Sequence, residues 1–292
     1  MPPIPAPRES GFTTTTALPL YWVKYGPVAA SPLLLLHGGP GADHAYLLPQ
    51  LLELARDHEV ILYDQRGGGQ SKTDDRTPIT WRTHVEDLDR VIGELAIDPL
   101  VIVGYSWGAL LTLLFSIEAA AGRTTHRPTR LALIDPAPVN RTFRREFENE
   151  FARRQSDRAV TQMREDLAAS GLREQDPDAY RQRTFELSVA GYFADPTRAH
   201  DLTPFRVTGR VQQSVWESLG DYDLLAPGQL DSIHLPTLIA HGQQDPIPLA
   251  SSKAAARAMD ATLVVIENSG HVPYVEQPDA LFAPLHAFLS RN

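Results

Sequence analysis

The chain has no cysteine. Disulfides, thiolate catalysis and cysteine-ligated zinc are therefore excluded together, and a reducing, cytoplasmic setting is the expectation. No apolar run approaches the ~18–20 residues that a membrane span requires, so no membrane partner is expected. The opening stretch "MPPIPAPRESGFTTTT" lacks the basic n-region and the apolar h-region of a signal peptide. Positive charge is also scarce: 27 Lys and Arg against 36 Asp and Glu leave a formal net charge of −9, with no basic stripe to suit a nucleic acid. The glycine-rich "HGGPG" and "RGGGQ" have the spacing of neither a Walker loop nor a dinucleotide fingerprint. No metal-ligand cluster stands out, so neither cofactor nor metal is expected. Nothing demands more than a monomer.

What remains is ordinary globular material: at 42% hydrophobic residues, the 292-residue chain can build the core of one large α/β domain. Residues 1–10, with four prolines, read as a loose arm. The Thr-, Tyr- and Trp-rich stretch 13–26 reads as a strand pair at a sheet edge. Short apolar runs follow at 33–39, 60–67, 101–106, 131–136, 236–242 and 262–268. They do not alternate, which is the pattern of strands buried on both faces of a parallel sheet. Helical patterns at 46–56, 80–96, 107–121, 251–259 and 278–290 lie between them. Strand and helix alternating in this way predict a mostly parallel, doubly wound α/β sheet. From 138 to 230 the rhythm breaks into charged segments with Phe and Leu at helical spacing, which predicts a helical cap (lid) inserted between two parts of the core, 1–137 and 231–292.

The run "VIVGYSWGALL" (101–111) places Ser106 between Gly104 and Gly108, after a strand and before a helix. In this G-x-S-x-G context the serine stands on a sharp turn as a nucleophile, and small flanking residues let the backbones approach. The plainer role for Ser106 is to cap the helix that follows. A serine hydroxyl needs a base to take its proton, and this arrangement runs Ser, then acid, then His along the chain. Among the histidines beyond 230, His271 follows the last buried strand in a glycine-marked loop. His286 lies inside a terminal helix pattern, His234 precedes a strand, and His241 ends one just ahead of the acid. His271 is therefore the expected base. Asp245 leaves a strand end between Ser106 and His271 and is the expected acid, there to fix the imidazole tautomer. Asp135, ending "LALIDP", is the fallback, read more simply as a turn residue before Pro136. The oxyanion hole is expected from the Trp107 N–H and from Gly39 in "LLLLHGGPGADH".

The pieces "HGGPG" (37–41), "DQRGGGQS" (64–71), "GYSWGALL" (104–111), "HGQQDPIP" (241–248) and "SGHVPYVEQPDAL" (269–281) make the chain resemble the proline iminopeptidases of the α/β-hydrolase fold. The resemblance implies the same nucleophile, acid, base and oxyanion donors. It implies a supporting role for Asp64, Arg66 and Gly67. Tyr105 stands where that family usually has glycine and is a candidate substrate contact. The family also holds a substrate amine with acids in the cap, and Glu186, Glu217 and Asp221 are the candidates here. The expected function is a serine hydrolase acting on small amides or esters through an acyl-enzyme, foremost an aminopeptidase releasing N-terminal proline or small apolar residues from short peptides. A carboxylesterase or lactonase on the same residues is the alternative. A non-catalytic binding protein is a third reading, against which the full Ser, Asp and His set argues.

Overall fold

The computed structural model describes residues 4–28, 30–74 and 76–290. Eight strands form one sheet: β1 (Glu9–Phe12), β2 (Tyr21–Tyr25), β3 (Pro32–Leu36), β4 (Glu59–Tyr63), β5 (Val101–Tyr105), β6 (Arg130–Ile134), β7 (Thr237–Gly242) and β8 (Thr262–Ile266). Their order across the sheet is β1-β2-β4-β3-β5-β6-β7-β8. The first two are antiparallel to their neighbours and the rest run parallel.

Leucines explain why β3 is central. Leu34 and Leu36 join the apolar cluster on one face, and Leu33 and Leu35 the cluster on the other. Side chains alternate along a strand, so a run without polar residues must be covered on both faces. Each such buried side chain contributes about 1.5–3 kcal/mol. One face is covered by α1 (Trp81–Glu94) and α2 (Trp107–Ala120), the latter apolar almost all round and buried accordingly.

Residues 138–230 contain no strand longer than an isolated bridge among the described residues. They carry α3 (Arg141–Gln155), α4 (Arg158–Ala169), α5 (Leu172–Gln175), α6 (Pro177–Val189) and α7 (Gly209–Leu219). Asn140 caps α3, Asp157 caps α4, and Asp176 caps α6 ahead of Pro177. The chain then returns through β7 to α8 (Leu249–Met259), β8, α9 (Pro273–Glu276) and α10 (Pro278–Leu289). Leu281 and Leu285 of α10 pack on the sheet's second face.

Three expectations need correction. The edge pair is β1 with β2, so the strand begins at Glu9, within the stretch read as a loose arm, and residues 13–20 are the connection. Residues 1–3 of that arm lie outside the described residues. The stretch 46–56 is two 3-10 segments, Ala45–Leu47 and Gln50–Arg56, rather than one α-helix. Pro49 supplies no N–H and separates them. β8 is the outer strand and is half exposed rather than buried on both faces.

Candidate active site

Ser106 stands between β5 and α2 at φ +54°, ψ −118°, a strained conformation held by its surroundings. Its N–H donates to the Ile134 carbonyl (2.9 Å) and its carbonyl accepts from Ala137 (3.0 Å). The flanking glycines are obligatory. A Cβ at Gly104 would lie 2.6 Å from the Ala109 Cα, and one at Gly108 only 2.2 Å from the Leu36 carbonyl oxygen. The Ser106 hydroxyl makes no helix cap. It faces His271 instead, with Oγ 2.9 Å from Nε2. On the far side of the ring, Nδ1 lies 2.8 Å from Asp245 Oδ2. Asp245 Oδ1 accepts from the Ile247 N–H (2.7 Å). Three chain segments thus bring the predicted serine, base and acid into one line.

The His271 loop is built tightly. Its N–H donates to the Tyr192 carbonyl (2.7 Å), and its carbonyl accepts from the Tyr105 hydroxyl (2.9 Å). His271 is 4% exposed, and burial lowers its pKa to about 4. A neutral ring with Nδ1–H toward Asp245 leaves Nε2 free to accept the serine proton. Burial pushes Asp245 up, and its hydrogen bonds with Asp135 and the Ile247 N–H oppose that rise.

Asp135 is more than a turn residue. It is fully buried, its Oδ1 accepts from the Gly242 N–H (2.7 Å), and its Oδ2 has no partner outside the acid cluster. Its carboxylate lies in one cluster with Asp245 and His241, their polar atoms within 4.8 Å of one another. Burial, and then the nearby Asp245 charge, raise the pKa of Asp135 well above the usual carboxylate value. His241 is committed on both nitrogens: Nε2–H donates to Ile247 O (3.1 Å) and Nδ1 accepts from the Ser252 hydroxyl (2.9 Å).

Gly39 and Trp107 face the same cavity as Ser106. Among the described residues neither backbone N–H has a hydrogen-bond partner. The neighbouring Gly38 N–H is different, since it donates to the Tyr46 hydroxyl (2.8 Å). At φ +126°, Gly39 holds a conformation that a side chain would resist, with a Cβ 2.9 Å from the Ala42 nitrogen. Gln65 joins the two loops: its amide donates to the His37 carbonyl and its oxygen accepts from the Trp107 indole, both at 2.8 Å. Asp64 accepts from the His44 N–H (3.0 Å) and the Gln70 N–H (2.8 Å), and Arg66 forms a buried bidentate pair with Asp87 (2.7 and 2.8 Å).

Two cavities open at the serine. One of about 570 Å³ is bordered by α3 and α7, and a second of about 320 Å³ by aromatic side chains. The cap acids divide between them. Glu217 borders the larger cavity, exposed and paired with the Gln213 amide (2.7 Å). Glu186 is buried against Gln182 and Arg183 and borders neither cavity, while Asp221 is 96% exposed beside Arg141. Of the three cap acids, only Glu217 therefore borders a cavity at Ser106. Tyr105 borders the smaller cavity.

Sequence reasoning passed over Tyr192 and Glu276. Glu276 accepts from the Gly270 N–H (2.7 Å) and from Ala194 (2.8 Å) and Asp195 (3.3 Å), tying the inserted segment to the His271 loop. A glutamate in "SGHVPYVEQP" carries no local sign that it is buried.

A proline iminopeptidase of Lactobacillus delbrueckii subsp. lactis is 42% identical over 90 residues, 29% of this chain and 30% of that protein's length. One from Levilactobacillus brevis is 28% identical over 287 residues, 90% of this chain and 89% of the relative. The crystal structure of the Mycobacterium smegmatis proline iminopeptidase superposes with a TM-score of 0.69 at 21% identity, covering 96% of this chain and 97% of that one. The model of the alpha/beta hydrolase family matches residues 33–284. The chain belongs to the α/β-hydrolase family, and within it is similar to the proline iminopeptidases.

Proposed function

We propose that this protein is a serine hydrolase that cleaves small amides or esters through an acyl-enzyme. The observation that carries the reading is the unbroken Asp245–His271–Ser106 chain, with 2.8 and 2.9 Å contacts, opening on a cavity that two unpaired backbone N–H groups border. His271 Nε2 takes the Ser106 proton as Oγ attacks the carbonyl carbon. The Gly39 and Trp107 N–H groups hold the oxyanion, and each such donor contributes roughly 3 kcal/mol in the transition state. Asp245 keeps Nδ1 protonated and stabilises the imidazolium. His271 then protonates the leaving amine or alkoxide and afterwards deprotonates the water that releases the acyl group. Residues 138–230 act as a cap that restricts the site to small substrates.

The likeness to proline iminopeptidases makes an aminopeptidase for short peptides the first reading of substrate. A carboxylesterase or lactonase is the second. It is favoured by the smaller cavity, whose described lining includes Tyr46, Tyr105, Phe185 and Phe205 but no acid to meet an amine. Hydrolysis of L-proline p-nitroanilide and of p-nitrophenyl acetate, with Ser106→Ala as control, separates the two. Anilide turnover lost in the variant establishes the aminopeptidase, and ester turnover alone, lost likewise, establishes the esterase. A variant matching wild type on both would remove Ser106 from the mechanism.

A further inference from the structure

The two cavities at Ser106 differ in chemistry. The smaller is lined mostly by aromatic and aliphatic side chains and carries no charged residue among its described lining other than His271. The larger is cationic: Arg141, Arg144 and Arg145, all within the first five residues of α3, border it. Local helix energetics do not account for them, because the dipole disfavours cations at a helix start and α3 has no acid in its first turn.

The two acids of this cavity are already engaged. Glu148 accepts from Arg144 Nε (2.8 Å) and Glu217 from the Gln213 amide (2.7 Å). Arg144 also lies over the Trp216 ring, 4.0 Å from its centre. Arg141 reaches the exposed Asp221 at 3.5 Å and the Gly220 carbonyl at 3.3 Å. Arg145 has no ion pair or hydrogen bond among the described residues. The cavity therefore offers an uncompensated guanidinium on the same surface as the nucleophile.

We propose that this cavity binds a carboxylate carried by the substrate, with Arg145 as its main partner and Arg141 beside it. The proposal rests on the serine-hydrolase reading and names its substrate class. An apolar group sits in the aromatic cavity on one side of the scissile carbonyl, and a carboxylate lies in the cationic cavity on the other. A guanidinium fork meets a carboxylate with two charge-assisted hydrogen bonds, which a neutral amide or methyl ester cannot match. The carboxylate has two sources: the free C-terminus of a very short peptide, or an acid group on the alcohol part of an ester.

Two matched pairs test this: prolylglycine against prolylglycinamide, and 4-acetoxybenzoate against its methyl ester. The expected result is a preference in kcat/KM for the acid of at least one pair, of about tenfold. Arg145→Gln should collapse that ratio toward unity through KM, Arg145→Lys should restore part of it, and added salt should erode it because the site is open to solvent. Preference in the peptide pair alone identifies the C-terminus, and in the ester pair alone the carboxylated alcohol. A ratio unchanged by Arg145→Gln, or no preference in either pair, overturns the proposal. Turnover of neither pair would count against the hydrolase reading. Calorimetric binding of 4-acetoxybenzoate and its methyl ester to Ser106→Ala then decides the carboxylate question separately, since equal affinity for the two overturns it.

Discussion

His271 accepts a proton only while it is neutral, and burial keeps it so by lowering its pKa to about 4. Below that pH the ring is protonated and cannot serve as base, so the rate falls tenfold for each further pH unit. Burial also raises the Asp245 pKa to about 7, and the ionised Asp245 that holds Nδ1–H is lost as pH falls through that value. The acid limb of kcat/KM is therefore expected between about pH 7, where Asp245 gains its proton, and about pH 4, where the ring does. Activity undiminished down to pH 4 would show that Asp245 stays ionised throughout. Asp245→Asn keeps the shape but permits the wrong tautomer, and a loss of roughly 10⁴-fold in kcat is expected. The neighbouring Asp135 bonds the Gly242 N–H and, among the described residues, neither His271 nor Ser106, so Asp135→Asn should cost far less than Asp245→Asn in the same assay. Comparable losses would show that Asp245 cannot hold the imidazole without Asp135.

At the scale of elements, the strand–turn–helix at 101–120 is legible in sequence because its constraint is local. Gly108 must be glycine, since a Cβ would come within 2.2 Å of one backbone oxygen and 2.6 Å of the next. Gly108→Ala is expected to yield no folded protein by circular dichroism. The loop of His271 is held differently, by a partner far along the chain. Glu276→Ala would leave the N–H groups of Gly270, Ala194 and Asp195 without their acceptor. The expected cost is roughly 2–5 kcal/mol in urea unfolding, with a fall in kcat as His271 loses its fixed position. Unchanged stability would show that water replaces the glutamate.

Across the whole molecule, burial is uneven. The described side chains of α3 and α5 include no buried residue, and α4 has Val160 alone, while β7 is buried throughout and α2 almost so. Opening free energies follow buried contacts. Hydrogen exchange is therefore expected fastest over 141–175 and slowest in β3, β5, β6, β7 and α2. Equal protection in the two regions would argue against a cap that opens independently of the sheet.

The sequence by itself determined the parallel core and singled out Ser106, Asp245 and His271, which the fold brings within hydrogen-bond reach of one another, because each depends on a short-range pattern: an unbroken apolar strand, a glycine-flanked turn, a strand end followed by a loop. It missed the 3-10 character of 45–56 and the true span of the edge pair, where proline and register outweigh hydrophobic pattern. Only the tertiary structure decided which charged residues lie near Ser106 and its partners. Asp135 looks like any turn aspartate until β6 and β7 bury it beside Asp245. Glu186 and Asp221 look as suitable as Glu217 until α6 turns the first into an ion pair and solvent takes the second. The three arginines of α3 read as a solvated helix start until the fold lays that helix along the cavity that contains Ser106. A charge acts over a few ångströms through space, and sequence order does not contain that distance.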